Sequence, residues 1–344
     1  MTNQPMPCPP ANTIHYPYVF LLSSVAALGG LLFGYDTAVI AGAIGYMTTY
    51  FELSAFWQGW AASCALIGCM IGAAGAGWIS DRFGRKNALL VAAVLFTVSA
   101  IGSALPRNLT EFIIYRILGG VGVGIASMLS PLYIAEVAPA RMRGALVTLN
   151  QLTIVGGMLV VYFVNASIAS LGDSAWNTTL GWRWMFGSET LPAVLFFLLL
   201  LLVPESPRWL IQKNRPEEAR AILYAIGGES HARQEIQDIQ AILTQERGSL
   251  SQLIQPGFRT ALLIGIGLAV LQQITGINVI LYYAPIIFES MGLTASTALN
   301  QTVIIGVINL LFTLFAFLLV DRFGRKVLLL FSSAGMGLSL SSLG

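Results

Sequence analysis

The sequence predicts an all-α protein that lives in a membrane and contains two copies of one helical unit. Three observations carry this. Only 10% of the 344 residues are charged and 56% are hydrophobic, with a mean hydropathy of +0.75, whereas soluble domains carry roughly 25% charged residues. The charges are clumped, which leaves apolar runs of the ~18 residues or more that a membrane-spanning helix needs. Finally, Asp81-Arg82-Phe83-Gly84-Arg85-Lys86 recurs letter for letter as Asp321-Arg322-Phe323-Gly324-Arg325-Lys326, each copy between two apolar runs. A repeated loop between greasy segments is the mark of a transporter made of repeats, with its site where they meet.

Periodicity and punctuation place helices at about 18–44, 57–79, 87–105, 110–136, 145–170, 184–203, 259–289, 297–320 and 327–344. The first run lacks a basic leader and a small-residue cleavage site, so it reads as a retained helix. Residues 1–203 then form a six-helix transmembrane domain and 259–344 a partial second one. Between them, 204–258 is a polar linker on the cytoplasmic side, with amphipathic segments at 217–226 and 231–245. Of the 18 Lys and Arg residues, all but Arg107, Arg116 and Arg183 fall in the loops after helices 2, 4, 6 and 8. Those loops share one side, which the positive-inside rule makes cytoplasmic, together with the N-terminus. The net charge of +2 therefore says nothing of nucleic acid. Cys8, Cys64 and Cys69 have no zinc or disulfide spacing, and His15 and His231 lie far apart. No metal, cofactor or enzymatic nucleophile–base pair is expected. The hexamers follow helices 2 and 8, six helices apart, which fits a six-plus-six plan with about nine of twelve helices present.

The motifs sharpen this. Gly77-x-x-x-Asp81-Arg82-x-Gly84-Arg85-Lys86 is followed by Arg116-x-x-Gly119-Gly120, by Glu136 with Arg141-x-Arg143-Gly144, by Pro204-Glu205-Ser206-Pro207-Arg208-Trp209-Leu210 and by Gln272-Gln273-x-x-Gly276-x-Asn278. In combination they resemble the sugar porter family of the major facilitator superfamily over nearly the whole chain. Through Leu31-Leu32-Phe33-Gly34-Tyr35-Asp36-Thr37-Ala38-Val39-Ile40 the chain is most similar to the bacterial members that carry D-xylose with a proton. The resemblance implies a major facilitator fold, a pentose or hexose as substrate, protons as the second partner, and the bacterial inner membrane as location. There are two departures. Phe317 stands where the first hexamer has Gly77, and helices 10 to 12, which complete the family's sugar pocket, are absent.

Asp36 is the sharpest candidate, because a carboxylate inside a membrane helix is costly and usually marks an ion or substrate pathway. Counted from the expected outer helix ends, Asp36 lies ~12 Å deep on helix 1 and Arg116 ~9 Å deep on helix 4, at ~1.5 Å per residue. A salt bridge is feasible. It reads either as a lock between two helices or as the proton-coupling site. The resemblance favours the latter, since proton-coupled sugar porters carry the acid there and passive members often lack it. Gln272, Gln273 and Asn278, with Thr275 and Tyr282 nearby, offer the paired donors and acceptors that neutral sugars need. In a straight helix Gln273 and Asn278 would point about 140° apart, so Gly276 and Pro285 must permit a break. Interhelical glue is the other reading. Gln151 on helix 5 and Asn309 on helix 8 are further candidates, and the resemblance adds Phe33. Asp81, Arg82, Arg85, Glu136, Arg141, Arg143, Glu205, Arg208, Asp321, Arg322 and Arg325 read as a cytoplasmic gate, since positive-inside bias does not explain the acids. Gly119, Gly120, Gly122 and Gly124 read as close-packing positions. Glu189, a few residues into helix 6, reads equally as a partner for a basic group, as an aid to the proton path and as helix-end snorkelling, and is assigned no role. Three other readings stand beside proton symport: a passive facilitator, a non-transporting sugar sensor and an inactive truncated fragment.

Overall fold

A computed structural model describes residues 14–245 and 256–343. Among these residues the chain is helical and contains no strand. The spans are α1 (Tyr16–Tyr50), α2 (Ala55–Phe83), α3 (Arg85–Ala104), α4 (Leu109–Val137), α5 (Arg143–Ala169) and α6 (Ser174–Leu202). Two polar-side helices follow, α7 (Pro207–Gln212) and α8 (Pro216–Gln245), then α9 (Pro256–Ile274), α10 (Ile277–Ser290), α11 (Ala295–Phe323) and α12 (Arg325–Leu343). Eight segments are long and apolar enough to cross a membrane, with α9 and α10 counted as one over Arg259–Ser290. The ninth apolar helix, over Lys326–Ser342, is shorter.

The ends differ from the sequence reading in instructive places. α1 runs six residues beyond the expected 44, because nothing in Ile44–Tyr50 breaks a helix. α6 begins at Ser174, not 184. Its first turns hold Asn177-Thr178-Thr179-Leu180-Gly181, a polar stretch that reads as loop but winds as a π-helical turn. α8 covers both expected amphipathic segments and breaks between them at Gly227 and Gly228, the latter at φ +77°. α7 was not foreseen. Ser206 caps it, and Trp209, Leu210 and Ile211 pack on Ala219 and Ile239 of α8.

Two apolar cores are stacked along the first six spans. One joins the lower parts of α1, α3, α4 and α6 around Leu32, Phe96, Ile134 and Phe196, and reaches Leu223 and Ile226 of α8. The other joins their upper parts around Tyr35, Ile44, Phe112 and Trp182. It also takes in Leu281 and Tyr282 of α10 and Leu299 of α11, so it is here that the second unit docks. Glycine sets the closest approach. A Cβ on Gly120 of α4 would collide with the carbonyl of Ala65 on α2, and one on Gly68 of α2 with the carbonyl of Ile117. This is the small-residue packing that lets membrane helices touch backbone to backbone.

A Gly120→Leu variant is expected to lose about 3 kcal/mol or more by overpacking this crossing. Thermal unfolding in detergent checks it, with Gly156→Ala as the control, since a Cβ there meets open space and should leave the midpoint unchanged.

Candidate functional site: a buried ion pair beside a polar cavity

The junction of the two cores holds the charged centre. Arg116 Nη1 donates to Asp36 Oδ1 at 2.6 Å, and Nη2 donates to the Asp36 carbonyl at 3.0 Å. Asp36 is fully buried and Arg116 is 1% exposed. The guanidinium also lies 5.4 Å over the Phe186 ring. The depth count was wrong in its frame, because α1 continues to Tyr50 and puts Asp36 fourteen residues from its end, ~21 Å at 1.5 Å per residue. The contact forms all the same, where the crossing of α1 and α4 brings the two side chains together.

Glu189 is the residue that sequence reasoning left undecided. It is fully buried, and its carboxylate lies against Asp36 and Arg116. Snorkelling at a helix end is excluded. The earlier start of α6 puts Glu189 fifteen residues into the span, ~22 Å from its beginning. The backbone stays helical through Ser188 and Glu189, and Ser188 Oγ bonds Tyr35 Oη at 2.8 Å, tying this part of α6 to the residue beside Asp36. Asp36 and Glu189 thus form a pair of buried carboxylates beside Arg116. Neither Glu189 oxygen, nor Asp36 Oδ2, has a hydrogen-bond partner among the described residues. Two carboxylates can satisfy each other only if a proton stands between them. The available signal was an acid inside an apolar run, obscured by the misplaced helix start.

A cavity of about 390 Å³ opens beside the pair. Asp36 lines it, together with Phe33, Gln151, Gln272, Gln273, Asn278 and Tyr282. Six of the seven expected sugar residues thus share one space. Asn309 is the exception and is not part of this lining. The helix break occurs where expected: Gly276 adopts φ +75°, a left-handed conformation suited to glycine. Across it Asn278 Nδ2 donates to Gln273 Oε1 at 3.0 Å, which removes the 140° separation of a straight helix. Leu66, Cys69, Ile154 and Met158 supply an apolar wall. Their apolar character in an apolar helix gave no distinguishing signal.

At the other end of the first bundle the hexamer turns at Gly84, φ +99°. Glu205 accepts from the backbone N–H groups of Arg85 at 2.9 Å, Lys86 at 3.0 Å and Ser206 at 2.8 Å, and so caps the positive end of α3. Burial pushes the Glu205 carboxyl up from its ordinary range, against the pull of those N–H groups. Arg85 forks onto Glu136 through Nε at 3.0 Å and Nη2 at 3.1 Å, and reaches Asp81 with Nη1 at 3.1 Å. Ser206 Oγ donates to Glu136 as well. Arg143 meets Glu235 of α8 at 3.4 Å. Arg82 lies 5.6 Å over Trp78 and over Phe83. Arg141 is exposed without a bond among the described residues. Arg208 lies on α7 and Arg322 is exposed at the end of α11. The side chains of Asp321 and Arg325 lie outside those described. The pairs named here fall within the first six spans and α7–α8, so they brace the first bundle.

A bundle of membrane-crossing helices around a polar cavity with a buried ion pair defines a multi-pass membrane transporter, not an enzyme. The chain belongs to the sugar (and other) transporter family, whose profile matches residues 22–344. It is 47% identical to the D-xylose-proton symporter of Escherichia coli (strain K12) over 353 residues, which cover 95% of this chain and 72% of that protein. It is 45% identical to the arabinose-proton symporter of Bacillus subtilis (strain 168), with 95% and 71% covered. The fold matches the xylose transporter XylE from E. coli in a partially occluded inward open conformation, with a TM-score of 0.82, 47% identity, and 90% of this chain and 75% of that chain covered.

Replacing Glu136 by Gln leaves Arg85, 6% exposed, without its buried counter-charge, and should cost about 3–5 kcal/mol. Asp81→Asn removes a partner whose side chain is 63% exposed, worth at most ~1 kcal/mol. Thermal melting of the two variants side by side checks the difference.

Proposed function

We propose that the protein is a proton-coupled sugar symporter that carries D-xylose or a related pentose or hexose by alternating access. The single observation that carries this is Asp36, which is paired with buried Arg116 and lines the same cavity as the amides. One guanidinium faces two carboxylates in a buried site, so charge balance calls for one proton among Asp36 and Glu189. A second proton, taken from outside, neutralises Asp36 and cancels its attraction for Arg116. α1 and α4 are then free to shift, and the loaded cavity turns inward. Sugar hydroxyls pair with Gln151, Gln272, Gln273 and Asn278, and the faces of Phe33 and Tyr282 cover the ring's C–H groups. Similarity to named pentose–proton symporters supports the substrate class.

The remaining assignments follow from this reading. Residues 1–203 act as one body and 259–344 as part of the other, joined by the linker 204–258. Asp81, Arg82, Arg85, Glu136, Arg141, Arg143, Glu205, Arg208, Asp321, Arg322 and Arg325 gate the cytoplasmic end. The protein sits in the bacterial inner membrane with its N-terminus in the cytoplasm, in keeping with the placement of Lys and Arg. The driving force suffices. One pH unit supplies ~1.4 kcal/mol and 100 mV a further ~2.3 kcal/mol per charge. Together they support accumulation of several hundredfold at one proton per sugar.

Proteoliposomes with an imposed pH gradient test the proposal. Wild type should concentrate labelled D-xylose. Asp36→Asn should lose uphill uptake while keeping counterflow exchange, and undiminished accumulation by that variant would refute coupling through Asp36. Asn278→Ala should raise the KM about tenfold, the loss of roughly one hydrogen bond to a neutral ligand, with coupling retained.

A further inference from the structure

A second polar cavity, of about 200 Å³, lies between α1, α6, α10 and α11 at the end opposite the arginine-rich loops. Tyr46 and Thr49 of α1, Thr178 of α6 and Glu289 of α10 line it, with Ile286 and Gly45 as apolar wall and floor. It is in register with the central cavity. On α1, Phe33 and Thr37 face the central space, and the next positions at fourfold spacing, Ala41 and Gly45, face the outer one. On α10, Asn278 and Tyr282 face the centre, and Ile286 and Glu289 the outer space. One face of each helix thus lines both cavities. Tyr282 lines the central cavity and Leu299 the outer one, and both belong to one buried apolar plug with Ile44, Val161, Tyr162 and Leu281, pinned by the Tyr162 hydroxyl donating to the Leu281 carbonyl at 3.2 Å.

The lining chemistry selects the ligand. Thr178 spends its hydroxyl proton on the Ser174 carbonyl at 2.9 Å, and Thr49 spends its own on Gly45 at 3.3 Å, so both present lone pairs. The Glu289 carboxylate is acceptor-only. Tyr46 and Ser174 keep hydroxyl protons to offer, and the Tyr46 ring provides an apolar face. A surplus of acceptors around an aromatic face suits a ligand with many O–H donors and no charge. A divalent cation would want six or more oxygen ligands and usually several carboxylates, and no group of three metal-binding side chains exists among the described residues. The space equals about seven waters at ~30 Å³ each, the scale of one sugar ring.

We infer that this outer cavity is a second, weaker monosaccharide site, in series with the central one and loaded while the plug is closed. The inference rests on the transport reading above, for both the ligand class and the sidedness. A sugar held there stands next in line when the plug opens.

The test is cysteine protection. In a protein with Cys8, Cys64 and Cys69 replaced by alanine, Gly45→Cys places a thiol in the cavity, at a position where an added Cβ meets nothing within 4 Å. Labelling by an impermeant methanethiosulfonate should slow about threefold when D-xylose is present at twice its dissociation constant for this site. The protection should persist with Gln273→Ala, which weakens the central site, and vanish with Glu289→Ala; a normal melting temperature confirms that the latter is folded. Absence of protection in the parent, or its loss with Gln273→Ala, overturns the inference, since the second result means that the central site acts at a distance. Protection by sodium chloride in place of sugar also overturns it and makes the cavity a cation site. Calorimetry with D-xylose on the same protein separates the two claims. Heat without protection sinks only the outer site, whereas neither heat nor protection sinks the sugar reading with it.

Discussion

The organisation of the first bundle depends on one charge contact that membrane physics makes expensive. An unpaired carboxylate or guanidinium at the depth of Asp36 and Arg116 would cost several kcal/mol, so each side chain requires the other. That requirement fixes the approach of α1 and α4, and the glycines follow from it. Gly119 stands where a Cβ would press on Ser99 and come within 3.3 Å of Asp36 Oδ1. Gly120 and Gly68 let α2 close the far side of α4. The two apolar cores meet at the ion pair and isolate it from the lipid.

The second unit is attached differently. Its contacts with the first are mainly apolar, with the Tyr162–Leu281 hydrogen bond among them, and lie where α10 and α11 pack on α1 and α5. α9 and the lower part of α10 are loosely covered, and there the amides of Gln272, Gln273 and Asn278 are available to a ligand. Rigid ion pairing within one bundle and apolar docking between bundles is the division of labour that alternating access requires. A greasy contact slides and re-forms with little directional penalty, whereas a buried salt bridge does not.

Most of this was legible in the sequence, for identifiable reasons. Charged and amide side chains are rare in apolar helices, so Asp36, Arg116, Gln273 and Asn278 stood out by composition alone, and Gly276 announced the break that unites the last two. The hexamer was visible because it occurs twice. Glu189 was equally rare in type but hidden by position. Asn177–Gly181 has the composition of a loop and the conformation of a helix, so the start of α6 was set too late and its acid seemed to lie at a membrane edge. The apolar half of the sugar cavity, Leu66, Cys69, Ile154 and Met158, could not be told from ordinary packing, because only the crossing of the helices decides which face meets the void. Asn309 shows the converse: a polar residue on a membrane helix can lie outside the cavity its neighbours line.

The two copies of the hexamer end their helices with the same left-handed glycine, Gly84 at φ +99° and Gly324 at φ +77°. Around the first, Glu205 sits so close that a Cβ would strike its carboxylate, whereas a Cβ on the second meets nothing within 4 Å among the described residues. The same six letters turn the same corner in both copies, with and without a described neighbour pressed against the glycine. Duplication has handed down the corner itself, as a property of the backbone.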